Sequence, residues 1–168
     1  MTPERLLTIL LTPAISTFGF SVMFRVRVRH LPAATVGGIL AYLLYLGAAE
    51  MIPGEFFPNF MAAFLVAIYC EICARILHAP VQIYLLPVLI PLFPGGMLYY
   101  AMYYLVAQNY ALFTENLILT LEASFGLAGG MIVGLAVTTA ILSLISRIRA
   151  PKQTKSMSDV PKEDSNAD

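Results

Sequence analysis

From Gln82 to Gln108 the chain carries no charged side chain, and within that run stand Pro87, Pro91, Pro94, Gly95 and Gly96. No other feature restricts the fold so tightly. A stretch this long and apolar belongs in a bilayer, where about 20 apolar residues cross the hydrocarbon core as a helix. Each proline, however, lacks the N–H that would bond the carbonyl four residues back, so the carbonyls of Ile83, Pro87 and Ile90 lose their partners. In a helix interior a proline costs about 3 kcal/mol and a glycine about 1 kcal/mol. Hydrocarbon offers no water to the freed groups, so irregular backbone survives there only where protein covers it or where it lines a cavity. The spacing predicts a membrane helix broken near Gly95, whose second half, residues 96–107, aims its first N–H groups and positive dipole end into the break.

Composition sets the class of the whole chain. Of 168 residues, 59% are hydrophobic and 12% charged, against about 25% charged in a soluble domain, and the mean hydropathy is +0.79. Apolar segments fall at residues 6–24, 33–52, 58–77, 83–107 and 117–146. The expected fold is an all-α polytopic membrane protein of about five transmembrane helices, the fourth broken at a Pro/Gly-rich midplane stretch. No small-residue cleavage site precedes the arginines after the first segment, so a removed signal peptide is not expected. The last segment exceeds one crossing, since about 30 helical residues reach about 45 Å against a core of about 30 Å. Its start is expected along the outer surface, with Leu117, Leu121 and Phe125 on one side and the span beginning near Phe125. Residues 1–148 read as one integral membrane transporter domain. Residues 149–168 read as a basic flank and a disordered cytoplasmic tail, too polar to offset the entropy of ordering.

A net charge of zero conceals an asymmetry. Arg25, Arg27 and Arg29 follow the first segment, Arg75 ends the third, and Arg147, Arg149, Lys152, Lys155 and Lys162 follow the last; only Arg5 falls elsewhere. Five spans put those cations on one side and Glu4, Glu50, Glu55 and Glu115 on the other. By the positive-inside rule the amino terminus is then outside and the carboxyl terminus cytoplasmic, in a multi-pass protein of the cell (inner) membrane.

Three prolines and two glycines within ten residues exceed what a simple packed kink needs, and discontinuous helices are how many transporters build a substrate site. The candidate substrate-binding residues are Pro91, Pro94, Gly95, Gly96, Tyr99 and Tyr100: the glycines admit a ligand or another backbone closely, and the tyrosines offer hydroxyl donors. The helix N-terminus favours an anion, which points to a small carboxylate. Glu71 and Arg75, spaced to pair at i and i+4, are candidates for coupling or gating, with a structural ion pair as the competing reading. Cys70 and Cys73 form a C-x-x-C on a membrane helix without a second pair; they read as packing residues, so no metal site, disulfide or cofactor is expected. Gly126, Gly130 and Gly134, like Ala33, Gly37 and Ala41, make small-xxx-small ridges that let helices approach, within the chain or against a partner. No nucleotide or nucleic-acid motif is present. A glutamate-dependent intramembrane hydrolase would need inward His or acidic partners for Glu71, and only His30 and His78, both at the membrane edge, are available.

The stretch IPLFPGGMLYYAM, residues 90–102, resembles the signature of the threonine/serine exporter family, in its short integral-membrane component. That component is of the kind found as the smaller subunit of a two-component succinate exporter. FGFSVMFRVR at the end of the first span, Arg75 and Pro80 ahead of the signature, and the glycine-rich last span extend the resemblance over most of residues 10–147. The resemblance implies export of small amino acids or dicarboxylates, without enzymatic activity, together with a second membrane protein or a fused second half. Five spans with one broken helix and no internal duplication agree with a missing wall supplied by a second subunit, self-association being the other solution. A non-transporting membrane scaffold is the alternative function.

Overall fold

The computed structural model describes residues 3–149; the tail expected over 149–168 lies, but for its first residue, outside them. The described residues form helices and short connections only: α1 (Pro3–Met23), a 3-10 turn (Val28–His30), α2 (Leu31–Met51), α3 (Phe56–Ile76), α4 (Gln82–Leu89), a second 3-10 turn (Ile90–Leu92), α5 (Gly95–Val106) and α6 (Tyr110–Arg149). Three helical stretches are long and apolar enough to cross a membrane: Val28–Met51, Phe56–Ile76 and Tyr110–Leu144. The pair Gln82–Leu92 and Gly95–Val106, bent by 51°, makes a fourth, and α1 contributes a shorter apolar stretch, Leu7–Met23. The all-α membrane class expected from the sequence is the class observed.

Helix ends follow local chemistry. Three helices stop with a non-glycine residue in the left-handed region: Arg25 (φ 54°), His78 (φ 52°) and Gln108 (φ 58°). In each case the next N–H reaches back five residues, Val26 to Ser21 O at 3.0 Å, Ala79 to Ala74 O at 2.9 Å and Asn109 to Tyr104 O at 2.9 Å. These bonds satisfy carbonyls that the helix leaves free, the usual task of a C-terminal glycine. An L-residue in this region costs roughly 1–2 kcal/mol. At the other end, Pro32 starts α2 where its missing N–H forfeits nothing.

Small residues decide which helices touch. A Cβ at Gly126 would overlap the Phe56 carbonyl oxygen, one at Gly130 that of Phe60, and one at Gly134 would lie 2.7 Å from that of Phe64. Each four-residue step on α6 therefore meets a four-residue step on α3, so the two helices run parallel with their backbones in contact. Gly37 of α2 receives the side chains of Tyr69 and Val88, Gly38 receives Thr17, and Ala34 and Ala41 are buried. As α2 touches α1, α3 and α4, it stands at the centre of the bundle. Both small-residue ridges are used within the chain, which removes them as faces for a second subunit.

The last helix differs from expectation. It is continuous over 40 residues, about 60 Å at 1.5 Å per residue, and passes Phe125 as unbroken helix. It holds no proline, and α5 packs against it. Leu121 and Phe125 remain exposed on the outside of that pair.

The parallel register also sorts the charges. Arg25, Arg27 and His78 border one cavity at the end where α1 and α3 finish, and α6 runs toward the same end to finish at Arg149. At the opposite end the Glu55 backbone N–H points to Glu122 Oε2 at 3.4 Å.

Candidate functional site

The chain breaks at the residues where the sequence places the break, but not at the midplane expected for it, because the neighbours of the break belong near one end of the bundle. After α4 the chain tightens into the 3-10 turn, extends at Phe93 (φ −63°, ψ 130°) and restarts as helix at Gly95 behind Pro94. Tightening is a natural response to Pro91, because a 3-10 turn bonds three residues back and leaves the lost fourth-residue bond unmade. Phe93 N–H bonds Ile90 O at 3.1 Å, Gly95 N–H turns back to Phe93 O at 2.8 Å, and Leu98 N–H closes the first turn of α5 on Pro94 O at 3.1 Å. The N–H groups of Gly96 and Met97 have no carbonyl of α5 to bond, as at any helix start.

Neighbours fix the level of the break. Pro91, Leu92, Phe93, Pro94 and Met97 share a cavity of about 100 Å³ with Tyr45, Glu55, Asn59 and Ala123. Tyr45 is in the last two turns of α2 and Asn59 in the first turn of α3, so the break stands nearer the acid-bearing end of these helices than their middles. Glu55 organises the polar side of this cavity. Its Oε2 accepts from the Tyr45 hydroxyl at 2.9 Å and from Asn59 Nδ2 at 3.3 Å, while Asn59 Nδ2 also bonds the Glu55 carbonyl at 2.8 Å. Asn59 is 2% exposed; a buried amide with both bonds aimed at one glutamate holds that carboxylate in place.

The sequence-derived candidates separate into three groups. Pro91 and Pro94 line the cavity with Glu55. Gly95 and Gly96 are exposed, and a Cβ on either would meet nothing within 4 Å; the close approach expected there is not made by this chain. Tyr99 and Tyr100 are exposed on the same side of α5, edge to face at 5.5 Å, and belong to a row of rings with Tyr103 and Tyr104. Glu71 and Arg75 form the expected i, i+4 pair, with Arg75 Nη2 at 3.0 Å and Nε at 3.2 Å from Glu71 Oε1. They line neither the cavity at the break nor the one at the basic end. Arg75 is 51% and Glu71 13% exposed, so the arginine is the accessible member of the pair.

Cys70 and Cys73 are free, Cys70 buried in the core, and among the described residues no three His, Cys, Asp or Glu side chains gather as a metal would need. The hydrolase constellation is not assembled either: His30 and His78 share the basic-end cavity, whose lining holds no carboxylate. Sequence reasoning passed over the Glu55, Asn59 and Tyr45 cluster. Its local trace was the i, i+4 spacing of Glu55 and Asn59 at the start of a span, but Tyr45 and Pro94 join it only through the fold.

A bundle of apolar helices with one span bent open beside a fixed carboxylate belongs to the polytopic helical membrane proteins, in the form that transporters use. The family model described as Threonine/Serine exporter, ThrE, matches residues 10–149. The chain belongs to the threonine/serine exporter family. No curated protein and no solved structure matches it.

Proposed function

We propose that the chain is the membrane subunit of an exporter of small carboxylate-bearing metabolites, threonine and serine or succinate-type dicarboxylates. In this reading it works with a second, non-identical membrane subunit in the cell membrane, amino terminus outside and carboxyl terminus cytoplasmic. One observation carries the reading: the first N–H groups of α5 open at a 51° break beside Glu55. The helix end suits a carboxylate, and Glu55 suits an ammonium. An amino acid satisfies both at once, whereas the second carboxylate of a dicarboxylate meets a like charge at Glu55. Membership of an exporter family supports transport over a scaffold role. The open ground around Gly95, Gly96, Tyr99 and Tyr100 supports a second subunit, because a site in hydrocarbon needs a wall on every side.

The test is efflux from proteoliposomes holding this chain with and without the membrane protein that co-purifies with it. Export is expected only with both. Glu55→Gln is expected to depress threonine efflux while sparing succinate efflux. Robust efflux by this chain alone overturns the hetero-oligomer in favour of a carrier made of identical copies, and equal losses for both substrates overturn the role given to Glu55.

A further inference from the structure

We propose that the basic end of the bundle holds an inner loading site for the substrate carboxylate, lined by Arg25, Arg27, His30 and Gln82. The proposal rests on the exporter reading and on its orientation, and adds the place where the anion is held before it reaches the break.

A cavity of about 520 Å³ lies between the α1–α2 connection, the α3–α4 connection and the first turns of α4. Its size falls in the range of small-molecule pockets. Arg25, Arg27, His30, His78 and Gln82 supply its polar lining, with no aspartate or glutamate among the lining residues. Cations without a local counter-charge attract a carboxylate or phosphate, and arginine offers either a two-pronged donor.

The backbone gives a second, independent indication. Arg25 and His78 occupy left-handed positions that glycine adopts freely, and both residues border this cavity. A helix end needs only the conformation; the two side chains are extra, and they converge from the ends of different helices. The third such residue, Gln108, closes α5 elsewhere and lines neither cavity.

His30 completes the wall. It is 7% exposed, and its Nδ1 lies 2.5 Å from the hydroxyl of fully buried Tyr84 on α4, the rings edge to face. When that hydroxyl donates to Nδ1, the ring proton sits on Nε2, which is then the donor to a bound anion. The same α4 that carries Gln82, Ile83, Leu86 and Pro87 along this cavity leads through its 3-10 turn into the lining of the break. One helix thus borders the loading site and passes directly into the turn that lines the break.

The test uses right-side-out vesicles containing the chain with its partner, loaded with graded internal threonine or succinate. Arg25→Gly, which fits the left-handed position, and Arg27→Gln are each expected to raise the internal half-saturation concentration about tenfold, with the maximal rate held within about twofold. Arg29→Gln, a neighbouring cation outside the lining, is expected to change neither. If Arg29→Gln behaves like the lining variants, the effect is one of general surface charge and the loading site is overturned. Thermal shifts of the purified full chain in neutral detergent, with added succinate, threonine or a short-chain phosphatidylglycerol, form the second arm. Stabilisation by succinate that Arg25→Gly abolishes supports the site; stabilisation by the lipid alone makes it a headgroup site and overturns the proposal. Export-dead wild type with arginine-dependent succinate binding would sink the exporter reading and leave the anion site standing. Active export with unchanged half-saturation in both lining variants would do the reverse.

Discussion

Single residues in this bundle act chiefly through the distance they allow between backbones. Gly130 has the Phe60 carbonyl and the Ala63 methyl where a side chain would be. Gly130→Ala must push α3 and α6 apart, and a loss of about 1–3 kcal/mol is expected, the range of overpacked cores; thermal unfolding in detergent would measure it. Gly129, one position along, has only the edge of Phe60 at 3.5 Å, so Gly129→Ala should leave the melting temperature within a degree or two. Thr17 presents the opposite case. It is fully buried against Gly38, and its Oγ1 is the one buried side-chain polar atom without a hydrogen-bond partner among the described residues. An unsatisfied buried hydroxyl costs about 1–3 kcal/mol, and replacing it by an apolar group of the same shape recovers part of that. Thr17→Val is expected to hold or raise the melting temperature, and a marked drop would mean that the hydroxyl is used. The glycines announced themselves in the sequence as places of close approach, but not what would approach. That answer required the partner helix, and it proved to be α3 of the same chain.

At the scale of elements the broken span shows what a sequence makes legible and what it withholds. Three prolines and two glycines in an uncharged run locate a break because each removes a known bond or adds a known entropy, and the restart of helix at Gly95 follows. The surroundings of the break were not legible, since Tyr45, Asn59 and Ala123 come from three other helices and Glu55 from the connection ahead of α3. The structure sharpens the expected behaviour of variants there. A Cβ at Gly95 meets nothing within 4 Å in this chain, so on the proposed exporter reading Gly95→Leu should insert and melt like wild type yet lose export by obstructing ligand or second subunit. Pro94→Ala returns a donor without adding bulk and should lose less. Normal export by both, measured with equal amounts of protein in the membrane, would reduce the break to a kink.

The whole molecule is polarised along its long axis. Arginines and both histidines gather where α1 and α3 finish, and glutamates gather where α3 begins. The uneven spacing of charge along the chain forecast this division, because alternate crossings deliver alternate connections to opposite ends. If the arginine end is cytoplasmic, as in the proposed orientation, single cysteines at Pro53 and Thr114, both exposed, should react with an impermeant maleimide on intact cells in a chain freed of Cys70 and Cys73. A cysteine at Arg27 should not, and labelling there from outside would invert the molecule. The tertiary pairing of helices could not be forecast in the same way, since α2 through α6 carry similar apolar surfaces and only shape, set by the glycines and alanines, distinguishes one neighbour from another.

The length of α6 has a mechanical corollary. A proline-free helix of 40 residues bends little over its length, so its two ends move together. Pivoting on the contact of Gly130 with α3, a tilt of about 5° would displace Tyr110 by about 2.5 Å, taking about 30 Å of rod at 1.5 Å per residue. The inner end would swing the opposite way. On the proposed two-subunit reading, a partner that grips α5 and the tyrosine row would therefore act through α6 on the arginine-bearing end as well.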